Sequence, residues 1–475
     1  MTTRRVLLFL PLALALSAAS LGTPDGTQPG SAEAAGTELT FKAPVTVSAS
    51  DGETASEPSI RAARDGSLYI VAPTGLGNVR ADSESGGGDV VWRSDDKGAT
   101  WKFLGSLDNQ QGGGDADIAP ARDGVLWGSG LTLANTTGAI SVDKGENWNS
   151  NPVNSLATVV DRQWIETYKS EPFAFMATGR IADQAIIVSR LERAPGDVPV
   201  TSSTVTASGS DTYQWPGEIA VDEKSGLVYV AYNTDDDSKD RIVVSRMDLK
   251  LGNIVRSDVT TTKGDSFDSF VGLDVDAAGN VYTTWSERRP AGEGGKDGQT
   301  NSYVAVSKNQ GESWSRPVKV NRGAKTTTFP WLVAGSRGRV AVAYYGTTSR
   351  GPSPENVTFD DRSIPKWKVY VSYSLNASSA DPQYTEKVAM SRTQFLHEGD
   401  ICTSGTGCAA GARDLADFFQ LDLDPCGKIV ITYTDNSRDV VTKAGRTTNQ
   451  PELISFIGQK GGPRFHATPL NPAVC

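Results

Sequence analysis

The chain has 475 residues, of which 21% are charged and 38% are hydrophobic, and its 46 Lys and Arg against 56 Asp and Glu give a net charge of −10. Nucleic acid and anionic membranes both require a basic patch, so this charge balance disfavours them as partners. Two histidines argue against a histidine-rich metal site, and 49 Gly with 24 Pro favour short strands joined by tight turns over a helical bundle.

The first segment of the chain has the layout of a secretory signal. Arg4 and Arg5 precede an apolar run from Val6 to Leu16, and small residues follow at 17–19. We assign residues 1–35 to a signal peptide with a flexible linker, and residues 36–475 to one folded region. This predicts a secreted protein, extracellular or periplasmic. No membrane span is expected, because no later apolar run reaches about 18 residues.

A unit of two strands recurs along the folded region. In each copy an apolar strand is followed by a turn, usually with Asp or Gly, and by a second strand rich in β-branched and aromatic residues. Seven copies begin at Glu57, Asp115, Asp161, Trp215, Ser269, Phe329 and Ala416. Spread over about 440 residues, they give about 60 residues per copy, which is the size of one four-stranded blade with its loops.

A sharper motif, Ser-x-Asp-x-Gly-x-x-Trp, follows a third strand in three copies. It occupies residues 94–101, 141–148 and 307–314, with Asn in the Asp position of the last. The Asp or Asn side-chain oxygen can accept turn N–H groups, and the Gly can supply a positive φ. We expect the Trp to pack back over the same hairpin.

This motif, in frame with the strand repeat, resembles the Asp-box (BNR) repeat of sialidase-like β-propellers over about residues 39–475. The resemblance implies an all-β ring of four-stranded antiparallel blades, innermost strand first, with the motif away from the functional face. Asp96, Asp143 and Asn309 are therefore assigned structural roles. We predict a single seven-bladed propeller. The alternative is a six-bladed sialidase-type propeller with an extra sheet.

Both ends of the chain are expected to stabilise ring closure. Residues 39–47 alternate as a strand does, so we expect them to complete the seventh blade and remove an exposed edge. The four cysteines allow three disulfide pairings. The short loop between Cys402 and Cys408 favours a local bridge, which leaves Cys426 to pair with Cys475 and tie the tail to the last copy.

The inner strands all begin at one end of the ring, where we expect the functional mouth. Aligning them gives two layers that face the central channel and combine carboxylates, an arginine and aromatic rings. The layers are Glu57, Asp115, Arg162, Pro216, Phe270, Phe329 and Phe418, and then Ser59, Asp117, Trp164, Glu218, Gly272, Trp331 and Gln420. Exposed rings suit apolar sugar faces, so we interpret the layers as a sugar site. A solvated channel with satisfied polar groups is the alternative.

Sialidases hold a substrate carboxylate with three arginines and use a Tyr nucleophile paired with Glu and an Asp acid. The resemblance implies candidate catalytic residues and candidate substrate-binding arginines in this chain, and the two layers add further candidates for substrate binding. These residues are Tyr345, Glu287, Asp115 and Asp117 for catalysis, and Arg162, Arg288, Arg413, Trp164, Glu218, Trp331 and Glu57 for binding. The family's Arg-Ile-Pro signature is missing, and Glu57 stands in its Arg position. A carboxylate there repels an acidic sugar.

Two functions fit these features. The first is a secreted sialidase-like propeller that acts on or binds glycans, as a glycoside hydrolase if it is an enzyme. The alternative is a non-catalytic propeller that binds glycan or protein at the cell envelope. We expect a monomer whose partner is a carbohydrate or an extracellular protein, and no cofactor. Residues 235–237 and Asp240 are acidic and would permit loop-bound Ca²⁺, although a solvated acidic turn fits their spacing better.

Overall fold

A computed structural model describes the chain from residue 38 to residue 475, as one compact unit, apart from several short stretches. The stretches left out are 49–54, 75–87, 109–112, 133–134, 154–158, 210–213, 235–239, 267–269, 289–298, 352, 358–362, 406–407, 409–412, 414, 439–440, 443–444 and 447–451. The predicted signal and linker, and the acidic run 235–237, therefore lie outside the described residues.

The described strands form seven blades of consecutive antiparallel strands, as the repeat predicts, and the six-bladed alternative is wrong. From the inside outwards, blade 1 consists of Ser59–Ala62, Leu68–Thr74, Gly88–Ser94 and Lys102–Ser106, and blade 2 of Gly114–Pro120, Leu126–Thr132, Asn135–Ser141 and Asn149–Pro152. Blade 3 consists of Val160–Thr167, Phe173–Arg180, Ala185–Ala194 and Val198–Thr206. Blade 4 consists of Gln214–Asp222, Leu227–Thr234, Arg241–Asp248 and Val255–Thr261.

Blades 5 and 6 have the same order, and blade 6 carries an extra short strand. Blade 5 consists of Gly272–Val275, Val281–Arg288, Thr300–Ser307 and Val318–Lys319. Blade 6 consists of Thr326–Ala334, Val340–Thr347, Lys366–Ser374 and Thr385–Val388, and its extra strand is His397–Glu398. The described 3-10 helices are Pro354–Asn356 and Pro472–Val474. No helix in the described part of the chain is long and apolar enough to cross a membrane.

Blade 7 joins the two ends of the folded region. Its own strands are Leu421–Leu423, Ile429–Asp435 and Leu453–Gly461, and a two-stranded ribbon, Val441–Thr442 with Gly445–Arg446, extends from it. The N-terminal strands Thr40–Phe41 and Val45–Thr46 pair antiparallel with Leu453–Gly461. The predicted closure of the ring is therefore confirmed, and the pairing covers the edge that blade 7 would otherwise expose.

Apolar side chains are buried mainly between neighbouring blades. One cluster joins Ile60 of blade 1 to Phe456 of blade 7, a second joins Tyr69 to Ile118 of blade 2, and later clusters continue the series around the ring. A central strand is covered on both faces, which explains why all residues of Leu68–Thr74 are buried. The core is thus a series of sheet-to-sheet contacts around the channel.

The Ser-x-Asp turns connect third and fourth strands and have the predicted hydrogen bonds. Asp96 Oδ1 accepts the N–H of Thr100 at 2.8 Å, and Asn309 Oδ1 accepts that of Ser313 at 3.0 Å. The first residue of the motif also takes part, because Ser94 Oγ accepts the N–H of Gly98 at 2.9 Å. The polar residues of these turns are therefore used within the turns themselves.

Trp148 packs over the glycine of its own turn, as expected, because a Cβ at Gly145 would lie 3.6 Å from its ring, and the other two tryptophans also reach a neighbouring blade. Trp101 contacts Phe456 of blade 7 with ring centroids 5.2 Å apart, and Trp314 Nε1 donates to Ser257 Oγ of blade 4 at 3.0 Å. In both cases the partner belongs to the preceding blade, since the interface between blades is where a ring is removed from water. The motif therefore holds neighbouring blades together.

Both predicted disulfides are present: Cys402 is bonded to Cys408, and Cys426 to Cys475. The second bridge anchors the C-terminal tail on the first turn of blade 7. Leu470 N donates to Pro425 O at 2.7 Å in the same region. The tail is therefore attached at the end of the ring where the inner strands finish.

Candidate functional site

Aromatic rings fill the channel, and we call Trp164, Trp331, Phe270 and Phe418 the plug. The ring centroid of Trp164 lies 4.5 Å from that of Trp331, 5.1 Å from that of Phe418 and 5.7 Å from that of Phe270. All four residues are at most 5% exposed. The expectation of exposed aromatic faces at the mouth is wrong, because seven converging strands leave a channel narrow enough for the rings to bury one another.

Charged side chains of the inner strands form two groups, which we name by position. The mouth cluster gathers residues at the start of the strands: Glu57, Asp115, Asp161, Arg162, Arg413 and Asp417. The channel cluster gathers residues further along them: Arg61, Asp117, Glu166, Glu218, Asp274 and Asp422.

Backbone bulges aim residues of the mouth cluster into the channel. The pairing register shifts between Gly114 and Ala116, and again between Asp161 and Gln163, so that Asp115 and Arg162 are the extra residues. Both have positive φ, 32° and 56°, and Glu57 at the same aligned position has 54°. Such a conformation costs about 1–3 kcal/mol for a residue other than Gly, and bulges of this kind often re-aim side chains at functional sites.

Ion pairs and hydrogen bonds hold the mouth cluster together. Arg413 Nη2 lies 3.4 Å from Glu57 Oε1 and also contacts Asp417, whose backbone N–H donates to the same Glu57 oxygen at 2.8 Å. Arg162 Nη1 lies 3.5 Å from Asp115 Oδ1, and its backbone N–H donates to Asp115 Oδ2 at 3.1 Å. Four predicted site residues, Glu57, Asp115, Arg162 and Arg413, therefore meet here from distant parts of the chain.

Burial and mutual repulsion raise carboxyl pKa values in this cluster. Burial, and then the charge of Asp115, raise the pKa of Asp161 to about 7. The same two causes hold the pKa of Glu57 well above its usual 4.5. Burial lowers the pKa of Arg162, and the charge of Asp115 opposes that effect. The cluster thus holds a carboxyl that exchanges its proton near neutral pH, as a general acid requires.

Several buried polar atoms of the mouth cluster have no hydrogen-bond partner among the described residues. They are Glu57 Oε2, Asp417 Oδ1, Arg413 Nε and the three guanidinium nitrogens of Arg162. Native proteins satisfy most buried polar atoms, so such a concentration marks a place for water or a ligand. The Glu57 side chain is 0% exposed, but those of Arg413 and Asp417 are each 20% exposed, so the cluster reaches solvent on its outer side.

Arg162 forms a fixed base for this cluster. Its guanidinium carbon lies 3.4 Å from the centroid of the Trp164 ring and 3.7 Å from that of Phe418, so the group sits on the plug. Cation–π contacts of this kind are favourable where the cation has lost its water. The side chain is fully buried, and it therefore orients Asp115 rather than extending toward the mouth.

Three predicted residues lie in other surroundings. Tyr345 is buried, with its ring stacked 4.1 Å from Phe419 and its hydroxyl oxygen accepting Thr434 N–H at 3.3 Å. Burial holds its pKa well above 10, which is the reverse of an activated nucleophile. Glu287 Oε1 accepts the N–H of Lys263 at 2.8 Å, and the exposed Arg288 pairs through its backbone with residue 265.

The predicted residues Asp117 and Glu218 belong to the channel cluster instead. Arg61 Nη2 lies 3.6 Å from Asp117 Oδ2 and 3.7 Å from Glu218 Oε1. Asp117 also accepts the N–H of Ile165 at 3.0 Å, and Glu218 accepts that of Leu273 at 2.8 Å, each on the next blade. Asp274 and Asp422 make the same kind of bond to the blade that follows theirs. These carboxylates therefore connect neighbouring inner strands.

A cavity of about 580 Å³ opens where the inner strands end, opposite the predicted mouth. Four carboxyl groups of the channel cluster line it: Glu166, Glu218, Asp274 and Asp422. Burial raises the pKa of Glu166 and of Asp274 to about 7. His466 and Leu470 of the tail complete part of the wall.

Sequence reasoning missed Asp161 and Asp417 at the mouth. Strict two-residue alternation points Asp161 away from the channel, whereas the bulge at Arg162 breaks that alternation. Sequence reasoning also missed four residues of the channel cluster, for another reason: Arg61, Glu166, Asp274 and Asp422. They lie one position after the aligned apolar residue of each strand, and only the positions before it were considered. Extending the same alignment forward would have found them.

Comparisons with known proteins show the fold. No protein-family model matches the chain, and no curated protein matches it. A fungal alcohol oxidase solved with copper shares 10% identity over 89% of this chain and 76% of its own, with a TM-score of 0.50. A protein of unknown function from Dyadobacter fermentans has 14% identity over 89% and 99%, with a TM-score of 0.44. The α-L-arabinofuranosidase Arb93A of Fusarium graminearum has 15% identity over 70% and 97%, with a TM-score of 0.43.

Proposed function

We propose that this protein is a secreted propeller of the Asp-box type that hydrolyses glycosidic bonds, with the mouth cluster as its active site. The observation that carries the proposal is the meeting of Glu57, Asp115 and Asp161, from three blades, around one buried arginine. Neighbouring carboxyl groups, one of which can donate a proton, are the machinery that glycoside hydrolysis needs.

The proposed roles follow from position and charge. Asp161 is the general acid, because its pKa of about 7 keeps it protonated in slightly acidic solution and its side chain is only half-buried. Asp115, held by Arg162 on the plug, is the second carboxylate, acting as base or nucleophile. Asp417, whose side chain is 20% exposed, binds a sugar hydroxyl, and the buried Glu57 holds Asp417 by accepting its backbone N–H.

The proposed substrate is a neutral glycan rather than a sialoside. A carboxylate-bearing sugar needs free arginines, whereas Arg413 is already paired with Glu57 and Asp417. Arg162 is fully buried between aromatic rings and faces Asp115.

Secretion is part of the proposal. Its support is the N-terminal pattern of paired arginines and an apolar run, together with two disulfides that are typical of proteins in oxidising compartments.

The test is hydrolysis by the purified protein of a panel of chromogenic glycosides that includes neutral sugars and sialosides. We expect turnover of at least one neutral glycoside and none of the sialosides. Asp115→Asn should reduce kcat by about 100-fold or more, whereas Asp143→Asn, in a structural turn, should leave it within about twofold. Retention on a glycan array with no turnover of any glycoside would replace the hydrolase with a glycan-binding propeller.

A further inference from the structure

Trp215 is an aromatic residue at the edge of the plug that keeps contact with solvent. It is half-buried, whereas the four residues of the plug are at most 5% exposed. Its ring stacks on that of Phe270, with the centroids 6.1 Å apart and an angle of 7° between the planes. Since Phe270 also contacts Trp164 within the plug, this stacking places the Trp215 ring on the channel side of blade 4. The aromatic surface of the plug therefore extends to the mouth at this residue.

The same aligned position carries residues of the proposed active site on other blades. One residue before the first of the two channel-facing layers stand Asp161 on blade 3, Trp215 on blade 4 and Asp417 on blade 7. Blades 1 and 6 have Ser56 and Thr328 there, both 1% exposed, with hydroxyl oxygens that have no hydrogen-bond partner among the described residues. This layer therefore combines an aromatic ring with carboxyl groups and hydroxyls that can bond to a ligand.

A close contact between blades places Trp215 next to the proposed general acid. Blades 3 and 4 meet at Gly179, which pairs with Asp161 inside blade 3. A Cβ on this glycine would lie 2.9 Å from the carbonyl oxygen of Asp161 and 2.9 Å from the ring of Pro216, the residue after Trp215. The missing side chain lets blade 4 approach the backbone of Asp161, so Asp161 and Trp215 lie on either side of this contact.

The order of the blades indicates on which side of the cleaved bond the ring lies. Asp115, Asp161 and Trp215 belong to blades 2, 3 and 4, so the general acid lies between the second carboxylate and the ring. In glycoside hydrolysis the acid protonates the oxygen of the leaving group, while the second carboxylate acts at the sugar carbon. With these roles, Trp215 is on the leaving-group side of the bond.

An aromatic ring that keeps part of its surface in water, beside hydroxyl and carboxyl groups, suits a sugar unit, which has an apolar face and polar edges. We propose that Trp215 is the platform on which a sugar unit of a neutral di- or oligosaccharide stacks, on the leaving-group side of Asp161. This inference rests on the proposed hydrolysis at the mouth cluster, and it makes the substrate a glycan that is cleaved between two sugar units.

Hydrolysis of two substrates that differ only in the leaving group tests the proposal. They are the disaccharide and the glycosyl fluoride of the sugar that the chromogenic panel identifies, since fluoride leaves without a sugar to stack on the ring. Trp215→Ala should lower kcat/KM for the disaccharide by about tenfold or more and leave that for the fluoride within about twofold. Trp215→Phe keeps a ring and should lose less than about threefold on the disaccharide. Unchanged turnover of the fluoride also shows that the variant is folded.

The matched control is Trp148→Ala, because Trp148 is also half-buried but lies in a structural turn at the other end of the ring. It should change kcat/KM for the disaccharide by less than about twofold, as expected for a distant site. An equal fall for both substrates in Trp215→Ala, or no fall for the disaccharide, would overturn the inference and leave the hydrolase standing.

Failure of the proposed function itself has a different signature. If no glycoside is hydrolysed, retention on a glycan array is compared between the wild type and Trp215→Ala. Loss of retention in the variant would support a sugar platform at Trp215 in a protein that binds glycans without cleaving them. Equal retention, or no retention by the wild type, would overturn the inference.

Discussion

The two ends of the channel use the same kinds of residue in different ways. At the mouth, bulges turn Asp115 and Arg162 inward, and the Arg162 guanidinium has no hydrogen-bond partner among the described residues. Further along, the strands keep a regular register at Asp117 and Asp274, whose carboxylates accept N–H groups of the next blade. Asp115 at a bulge and Asp117 at a regular pair both accept an N–H group of the next blade, so the two ends differ in the positive φ at Asp115 and Arg162 and in the unpaired guanidinium of Arg162.

The largest expected effect concerns catalytic activity at the mouth, and it tests the comparison between the two ends of the channel. We predict that Asp161→Asn reduces the rate of glycoside hydrolysis by about 100- to 10,000-fold, because the amide cannot donate the proton. Stopped assays on the substrate found in the panel measure it, with Asp143→Asn as the control. A loss below about tenfold would remove Asp161 from the role of general acid.

Among substitutions of charged residues, those in the channel cluster should lower the free energy of unfolding the most. Replacing Arg61 with Met leaves Asp117 and Glu218 without their cation, and we expect a loss of about 3–5 kcal/mol at pH 8. Arg64→Met, at the half-exposed rim, should cost less than about 1 kcal/mol. Urea unfolding of both variants measures the difference. Equal effects would mean that the channel cluster does not hold the blades together.

How far the sequence predicts these regions depends on periodicity. The strand repeat, the closure by residues 39–47 and the meeting of Glu57 with Arg413 follow from alternation and spacing, whereas the position of Asp115 also depends on a bulge. The inward turn of Asp161 follows from a bulge, which has no signal in hydrophobic pattern. The burial of Trp164 against other rings depends on how narrowly seven blades converge, a property of the whole ring.

A smaller effect concerns the two disulfides, one near each end of the channel. Cys426–Cys475 closes a separation of 49 residues, and Cys402–Cys408 closes one of 6. Chain entropy predicts that removing the first pair, by Ser substitution, costs about 2 kcal/mol more than removing the second. Thermal or urea unfolding of the two double variants measures this. The reverse order would show that the local bridge near the mouth constrains more than its own loop.

The last prediction concerns the dependence of stability on pH. Burial raises the pKa of Glu166 and Asp274 in the folded protein to about 7, above the usual carboxyl values. The folded state therefore holds protons that the unfolded state has lost, and their contribution to stability falls as pH rises from about 4 to 7. In Glu166→Gln with Asp274→Asn this fall should be shallower. Melting curves from pH 4 to 8 check it, and parallel wild-type and variant curves would contradict it.

The central claim is tested most directly by the pH dependence of kcat/KM on a neutral glycoside. The account predicts a fall above pH about 7 in the wild type, as Asp161 loses its proton. In Asp417→Asn the fall should move to lower pH, because the charge of Asp417 helps to raise the pKa of Asp161. A fall that stays at the same pH in this variant would contradict the claim that these carboxyl groups act together at the mouth of the ring.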